Sequence, residues 1–380
     1  MNIIRIQAST MSIIAAAIAG IGMAACGGGD SAPQTFTQAP VACAELTGMT
    51  IPAASIGLPT TGAVVTNAQV VPPSGTGAVT VGEYCKVEGE INPVDQAAPK
   101  IKFQVGLPAN WNKKALMYGG GGNNGTIPNI AGSYATNIST QPVPLGRGYA
   151  VFGSDSGHQG KNDGTIDPVR DASFAVNDEA LRNFTGEALK KTRDVAGAII
   201  KARYATTPEK VYFVGGSTGG REALLSISNW PQDFEGAIAV YPAWDSVALN
   251  LAVGRLGQEF AKPGAYVSEQ KRDALYKAAI NACDGLDGIA DGVISNNAAC
   301  NATFDPVTAT IDGTTPLRCA GGADTGDNCL SDVQISARLV TRDGMFGAGT
   351  MALRALLLPL NQHCSWWALE TWLLGILCLQ

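Results

Sequence analysis

The chain has 380 residues, of which 46% are hydrophobic and 15% are charged, so it can bury a sizeable core. This composition excludes intrinsic disorder for most of the length. The net charge is −6 and no basic tract occurs, so a nucleic-acid backbone would be repelled rather than bound. The length favours one large domain, or a catalytic domain that carries an inserted lobe.

Residues 1–25 predict a secretory signal peptide. A short positive start with Arg5 precedes the apolar segment 11–25, which is too short to span a membrane. Cys26 follows two alanines and resembles the lipobox cysteine of bacterial lipoproteins, and residues 26–42 predict a flexible linker. The alternative is an ordinary signal-peptidase site. We therefore expect export, as a periplasmic or outer-membrane lipoprotein or as a secreted protein, with a lipid anchor as its one contact with a membrane.

The nine cysteines predict structural disulfides. Without Cys26 an even number remains, and an oxidising compartment favours their pairing. The chain contains no CxxC motif and only two histidines, His158 and His363, so no zinc site is indicated.

Alternating strands and helices are predicted after the linker. The predicted strands lie between about 86 and 107 and over 115–118, 148–153, 210–214 and 236–240. Apolar residues with a helical period predict helices over 180–204 and 221–229. This order predicts an α/β fold with a mostly parallel sheet and helical crossovers. After Trp244, helical pieces and loops rich in Cys, Gly and Asp predict an inserted lobe.

Residues 215–219 match the motif G-x-S-x-G, between a predicted strand and a predicted helix. This context would expose the hydroxyl of Ser217 on a tight turn, as a nucleophile requires. The backbone N–H of Thr218 would face the developing oxyanion, and an upstream glycine-rich turn would offer a second donor, from Gly121 or Gly122. The alternative is a phosphate-binding or merely tight turn, but the dinucleotide-binding spacing and the P-loop lysine are lacking.

The segment GGSTGGREAL resembles the nucleophile region of the tannase and feruloyl esterase family of α/β-hydrolases. Its flanks KVYFV and NWPQDFEGAIAVYPAW match in order, AVFGSDSGHQG resembles the family's Asp-x-Gly-His segment, and YGGGGNNG resembles its oxyanion loop. The resemblance runs from about Cys43 to about Ile335. It implies a hydrolase core over 43–245, a lid domain over 246–340, and a serine carboxylesterase that cleaves feruloyl, galloyl or related aromatic esters through an acyl-enzyme.

The general base is not identified by this resemblance. Many family members carry a Cys directly before the nucleophile, bonded to a Cys directly after the catalytic His, whereas this chain has Gly216 there. His158 lies in a segment that is a loop beside the site in the family, so we expect it to shape the site. The catalytic Asp and His of the family follow the lid.

Residues 341–380 form an atypical tail. From residue 344 onwards the tail contains two charged residues and no Asp. We interpret it as the product of a truncation or frameshift, which would leave the final sheet strands and the triad incomplete. His363 and Cys364 mimic the family's His-Cys pair, which makes His363 the remaining candidate base. The rival function is a catalytically incomplete fragment or a surface-tethered binding protein.

The loop 283–293 holds three Asp residues within eight positions. Such carboxylates repel one another unless they are solvated or share a cation, and Ca²⁺ takes about six to eight oxygen ligands. The spacing is not that of an EF-hand, but it resembles the family's lid calcium site. The resemblance implies a structural Ca²⁺ bound by the side chains of Asp284, Asp287 and Asp291 and the carbonyls of Ile289 and Val293. The alternative is an Asp-Gly turn without metal.

Family-like spacing also implies three disulfides, Cys43–Cys85, Cys283–Cys300 and Cys319–Cys329. The second would close around the acidic loop and limit its freedom in the unfolded chain. The sequence does not predict an oligomeric state.

Overall fold

The computed structural model describes residues 39–133 and 142–337. The chain divides into residues 1–38 and a second unit that begins at Ala39. The predicted signal peptide, Cys26, most of the predicted linker and the tail with His363 therefore lie outside the described residues.

An eight-stranded sheet organises the described residues, in the order β1-β2-β3-β4-β6-β5-β7-β8. The strands are β1 Thr50–Ile51, β2 Ala63–Val71, β3 Tyr84–Ile91, β4 Ile101–Pro108, β5 Lys114–Tyr118, β6 Ala150–Ser154, β7 Lys210–Gly216 and β8 Gly236–Val240. The pairings from β1 to β4 and of β4 with β6 are antiparallel, and the pairings among β6, β5, β7 and β8 are parallel. Within the described residues no strand pairs with the outer edge of β8.

Residues that pair across the strands are buried in both halves of the sheet. In the antiparallel half, Val87 and Val105 lie opposite each other and both are completely buried. In the parallel half, Met117 pairs with Phe152 on one side and with Phe213 on the other, and all three are buried. Parallel strands are covered on both faces, so they appear in sequence as short apolar runs.

Six α-helices with assigned bounds accompany the sheet in the described part of the chain. They are α1 Asp178–Arg182, α2 Ala188–Tyr204, α3 Thr218–Asn229, α4 Ser246–Phe260, α5 Glu269–Cys283 and α6 Asn297–Thr303. Helix α2 buries Val195, Ile199 and Ile200 in the main core. The single helix predicted over 180–204 is wrong in one respect: a π-helical turn at Asn183–Glu187 separates α1 from α2. Gly186 has a φ of 156° there, which interrupts the helix.

The residues after β8 form a second apolar cluster. Its buried members include Val267, Leu275, Phe304, Leu317 and Leu330. Ala252 is the one residue of helix α4 that is buried by the described part of the chain. The lid boundaries at 246 and 340 stay predictions.

Three disulfides are present, and they are the three predicted pairs. Cys43 is bonded to Cys85, Cys283 to Cys300 and Cys319 to Cys329. The first joins the start of the described chain to β3, and the other two lie after β8. None of the helices in the described ranges has the length and apolar content needed to cross a membrane.

Candidate active site

Ser217 lies in the sharp turn between β7 and α3. Its φ of 56° and ψ of −119° belong to a region that non-glycine residues rarely adopt. Ser217 N donates to Val240 O at 3.0 Å, and Ala243 N donates to Ser217 O at 2.9 Å. The side chain is half-buried, whereas the residues on both sides of it are buried. This strained, accessible position is the geometry that a G-x-S-x-G nucleophile requires.

The glycines around Ser217 permit the close approach of β7, α3 and β8. A Cβ added to Gly215 would lie 2.0 Å from Gly219 O, and one added to Gly220 would lie 2.8 Å from Val240 O. Both neighbours are backbone atoms, so they cannot move away cheaply. The turn therefore requires glycine at both positions.

The cysteine that many family members carry before the nucleophile has no counterpart at Gly216. A Cβ at Gly216 would lie 3.0 Å from the ring of Tyr241. Tyr241 itself has a φ of 36°, which is uncommon for a non-glycine residue. The space for a cysteine side chain is thus restricted by an aromatic ring, and a catalytic base would have to be positioned by other contacts.

The glycine-rich turn after β5 lies against the first turn of α3. Gly219 N donates to Gly120 O at 3.1 Å, and the Thr218 hydroxyl donates to Gly122 O at 2.6 Å. In the described residues, neither the Gly121 amide nor the Thr218 amide donates a hydrogen bond. Both amides can therefore bind an oxyanion at the N-terminus of α3.

The two glycines predicted as alternative oxyanion donors differ in their surroundings. Gly122 has a φ of 58°, and a Cβ there would lie 2.4 Å from Val169 O. A Cβ at Gly121 would meet no atom within 4 Å. The open side of the turn is at Gly121, which favours its amide as the second donor.

Glu222 is a buried carboxylate beneath this turn that the sequence analysis missed. It is 1% exposed, and its Oε2 accepts from Gly120 N at 2.9 Å while its Oε1 accepts from Asn124 Nδ2 at 2.6 Å. The Ser156 hydroxyl donates to Oε1 at 3.4 Å. Burial raises the pKa of Glu222, and these hydrogen bonds and the charge of Arg221 oppose that rise. Its position five residues after the nucleophile, on the helix that follows it, was the available sequence signal.

His158 is buried beside the same turn. Its Nε2 lies 2.7 Å from Asn123 O, and its ring stacks on Phe174 with 3.6 Å between ring centroids. Burial lowers the pKa of His158. None of the hydrogen bonds of His158 in the described residues reaches Ser217. Because His363 lies outside these residues, no base for Ser217 is found among them.

Asp155 anchors the segment that leads to His158. Its Oδ1 accepts from the amides of Lys102 and Gly157, each at 3.0 Å, and its Oδ2 accepts from Gln159 Nε2 at 2.6 Å. Burial raises the pKa of Asp155 to about 7, against the opposing effect of these donors. We therefore regard Asp155 as a structural carboxyl that fixes the loop beside the site.

The acidic loop lies directly after α5, and its carboxylates accept backbone amides of the same loop. The donors are Gly292 N to Asp284, Ile289 N and Ser295 N to Asp287, and Val293 N to Asp291, at 2.9 to 3.0 Å. The bonds to Asp287 lower the pKa of that carboxyl. In the described part of the chain, no three acidic, His or Cys side chains are grouped as a metal site. Carboxylate oxygens are ligands of the type that Ca²⁺ prefers, but these three side chains are not grouped around one point. Calcium therefore stays a prediction.

Comparison with known proteins identifies the family. The profile of the family described as tannase and feruloyl esterase matches residues 85–349. The chain belongs to this family. A solved structure, feruloyl esterase B from Aspergillus oryzae, has a TM-score of 0.59 and 25% identity, with coverage of 75% of this chain and 55% of that one. The predicted α/β-hydrolase fold is confirmed.

The names of two curated relatives are those of an esterase and of a hydrolase. An uncharacterized esterase from Agrobacterium fabrum is 40% identical over 301 residues, which cover 78% of this chain and 52% of the relative. Mono(2-hydroxyethyl) terephthalate hydrolase from Piscinibacter sakaiensis is 31% identical over 281 residues, which cover 70% of this chain and 46% of the relative. The chain spans about half the length of these relatives. The predicted enzyme class, a carboxylic ester hydrolase, agrees with the names of these relatives, and the activity of this chain stays a proposal.

Proposed function

We propose that this protein is a serine carboxylesterase that hydrolyses esters of phenolic or other aromatic acids, such as feruloyl or galloyl esters. The observation that carries the proposal is the strained turn at Ser217, with the unoccupied amides of Thr218 and Gly121 next to it. The relatives named for feruloyl esters and for a terephthalate monoester support an aromatic acyl group.

In the proposed reaction, Ser217 Oγ attacks the ester carbonyl carbon and loses its proton to a base. The amides of Thr218 and Gly121 stabilise the oxyanion, and one such donor contributes about 3–4 kcal/mol in a well-studied serine hydrolase. Collapse of the tetrahedral intermediate releases the alcohol, which takes the proton, and leaves an acyl-serine. Water then cleaves the acyl-serine to the free aromatic acid and restores the hydroxyl.

The substrate class is tested by comparing methyl ferulate and methyl gallate with methyl butyrate on the full chain. We expect cleavage of the aromatic esters, at a slow rate if the triad is incomplete as predicted, and slower cleavage of the aliphatic ester. Equal rates on all three esters, after subtraction of the uncatalysed rate, would contradict an aromatic acyl pocket.

The alternative function is a surface-tethered binding protein or an incomplete hydrolase. It is favoured by one observation, namely that the described histidine, His158, is engaged by Asn123 and Phe174 instead of by Ser217. Binding of an aromatic ester without release of its alcohol would support this alternative, and measured alcohol release would exclude it.

We further propose that the protein is exported, with Cys26 acylated. Three disulfides support an oxidising compartment, because such bonds rarely persist in the cytosol. The intact mass of the membrane-extracted protein tests the anchor. A soluble form that begins at another residue would contradict lipidation.

Calcium binding at the acidic loop is proposed as a structural role. A cation would draw Asp284, Asp287 and Asp291 together and relieve their mutual repulsion. Because a ligand that binds only the folded state stabilises it, we expect EDTA to lower the melting temperature by about 3–6 °C and added calcium to restore it.

The matched control is Asp312, an Asp of another turn in the same lobe that accepts the amides of Thr314 and Thr315. We expect Asp287→Asn to abolish the response to EDTA and Asp312→Asn to keep it. The same melting temperature with EDTA and with calcium would show that the loop binds no metal.

A further inference from the structure

Glu222 joins three segments of the candidate site through one buried carboxylate. We propose that Glu222 is a positioning residue: it holds the glycine-rich turn so that the Gly121 amide is aimed at the oxyanion formed at Ser217. This inference rests on the proposed function. Glu222 itself does not touch the substrate, and it acts on the reaction through the glycine-rich turn.

The first step is the link from Glu222 to the near side of the turn. Glu222 and Ser217 belong to one helix and its preceding turn, so their relative position is fixed by α3. Oε2 of Glu222 accepts from Gly120 N at 2.9 Å, and a Cβ at Gly119 would lie 3.0 Å from that same oxygen. A side chain at Gly119 would crowd the carboxylate, so glycine at this position lets the backbone of the turn lie against Glu222.

The second step concerns the direction of the Gly121 amide. Its N–H belongs to the peptide unit whose oxygen, Gly120 O, accepts from Gly219 N at 3.1 Å. In a trans peptide the N–H points opposite to the C=O, so this bond turns the Gly121 N–H away from Gly219. Glu222 fixes the preceding peptide unit through the Gly120 N–H. The Gly121 amide is thus oriented by its neighbours while remaining available to a ligand.

The third step is the link to the far side of the turn. Oε1 of Glu222 accepts from Asn124 Nδ2 at 2.6 Å, and Asn124 N donates to Gly121 O at 2.8 Å. The Asn124 amide group also donates to the Ser156 hydroxyl at 2.7 Å, in the segment that carries His158. A single carboxylate consequently fixes both ends of the turn and the loop beside it.

The contacts of Glu222 indicate a substitution that changes its hydrogen bonding but not its size. Both oxygens of Glu222 face donors, Gly120 N and Asn124 Nδ2, so each must be an acceptor. Glu222→Gln keeps the size of the side chain but replaces one oxygen with an NH₂ group, which would face a donor. Either the link to Gly120 N then breaks, or the Asn124 amide turns over so that its Oδ1 faces the new NH₂ group and its present donation to the Ser156 hydroxyl is lost. The volume of the core is unchanged in both cases.

Glu179 offers a matched control elsewhere in the fold. It is 3% exposed, and its carboxylate accepts the amides of Val94 at 3.1 Å and Asp95 at 2.7 Å. Glu179→Gln therefore makes the same chemical change in another buried carboxylate that ties a helix to a loop. It also weakens the 3.9 Å pair with buried Lys191, so its cost in stability is comparable or larger.

Two readouts test the positioning role on the full chain. Hydrogen exchange measures the amides of residues 119–125, and single-turnover reaction with p-nitrophenyl ferulate gives the binding constant and the acylation rate separately. For Glu222→Gln we expect at least about tenfold faster exchange in this turn and about 10²-fold slower acylation, with binding changed less than about twofold. Glu179→Gln should leave all three values at the wild-type level.

The proposal is overturned if Glu222→Gln keeps wild-type exchange and acylation, or if Glu179→Gln changes them equally. If Glu222→Gln does not fold, Asn124→Gly removes the far link and tolerates the φ of 60° at that position. It should show the same pattern at smaller amplitude, and wild-type values for it would also overturn the proposal. A wild-type chain that is never acylated would refute the proposed function, while the exchange data would still decide the role of Glu222.

Discussion

Ser217→Ala is expected to abolish aryl ester cleavage, because it removes only the attacking oxygen. Loss of a serine nucleophile costs up to about 10⁶-fold in rate when the rest of the machinery is complete. The rate of methyl ferulate hydrolysis, followed by release of ferulic acid, measures the effect. The variant should keep the wild-type melting temperature to within a few degrees, since the hydroxyl is not used in the hydrogen bonds that hold the turn.

Ser226→Ala is the control for this experiment. Ser226 lies on the same helix, is completely buried, and its hydroxyl has no hydrogen-bond partner within the described residues. We expect its rate to equal that of the wild-type chain. If both variants lose activity equally, the loss would reflect the integrity of α3 and not the nucleophile.

His363→Ala separates a complete triad from an incomplete one. If the tail does not supply the base, as the predicted truncation or frameshift implies, this substitution should leave the rate unchanged. If His363→Ala is as inactive as Ser217→Ala, and the wild-type chain reaches ordinary esterase rates, then His363 is the base and the predicted incompleteness is wrong.

Gly215→Ala is expected to destabilise the fold by about 3 kcal/mol or more. Its Cβ would lie 2.0 Å from Gly219 O, a backbone atom of the helix that follows the nucleophile. Overpacking of this kind costs about 1–3 kcal/mol, and more when neither partner can move. Urea unfolding monitored by far-UV circular dichroism gives the free energy of unfolding.

Gly236→Ala is the matched substitution on the neighbouring strand β8. A Cβ there would lie 3.6 Å from the ring of Tyr212, an ordinary van der Waals distance. We expect a change of less than about 1 kcal/mol in the free energy of unfolding. Equal losses for the two variants would show that the tight approach at Gly215 is not specific to the nucleophile turn.

The parallel half of the sheet could be predicted from sequence because its strands are buried on both faces. Strands β5, β7 and β8 appear as short apolar runs, and glycines end or follow the first two. The motif around Ser217 was informative for a different reason, because glycine is required wherever backbones approach closely. The antiparallel extension was only partly predicted: β3 and β4 show alternation, whereas β1 and β2 were missed.

The parts that could not be predicted depend on contacts between distant residues. Glu222 is buried by a turn about 100 residues earlier, and its sequence neighbours do not indicate this. Gly186 interrupts a helix whose apolar period continues on both sides of it. In the acidic loop, the spacing of the three Asp residues did not indicate that each carboxylate accepts backbone amides of nearby residues. Calcium binding there stays a prediction.

The most direct test of Ser217 as the nucleophile is mass spectrometry after reaction of the full chain with a fluorophosphonate. Attack by the serine oxygen on phosphorus expels fluoride and leaves a stable adduct, which peptide mapping locates. We predict a single adduct on Ser217 that forms slowly and is absent from Ser217→Ala. A folded chain that gains no adduct on Ser217, or gains it equally on several other residues, would contradict the assignment.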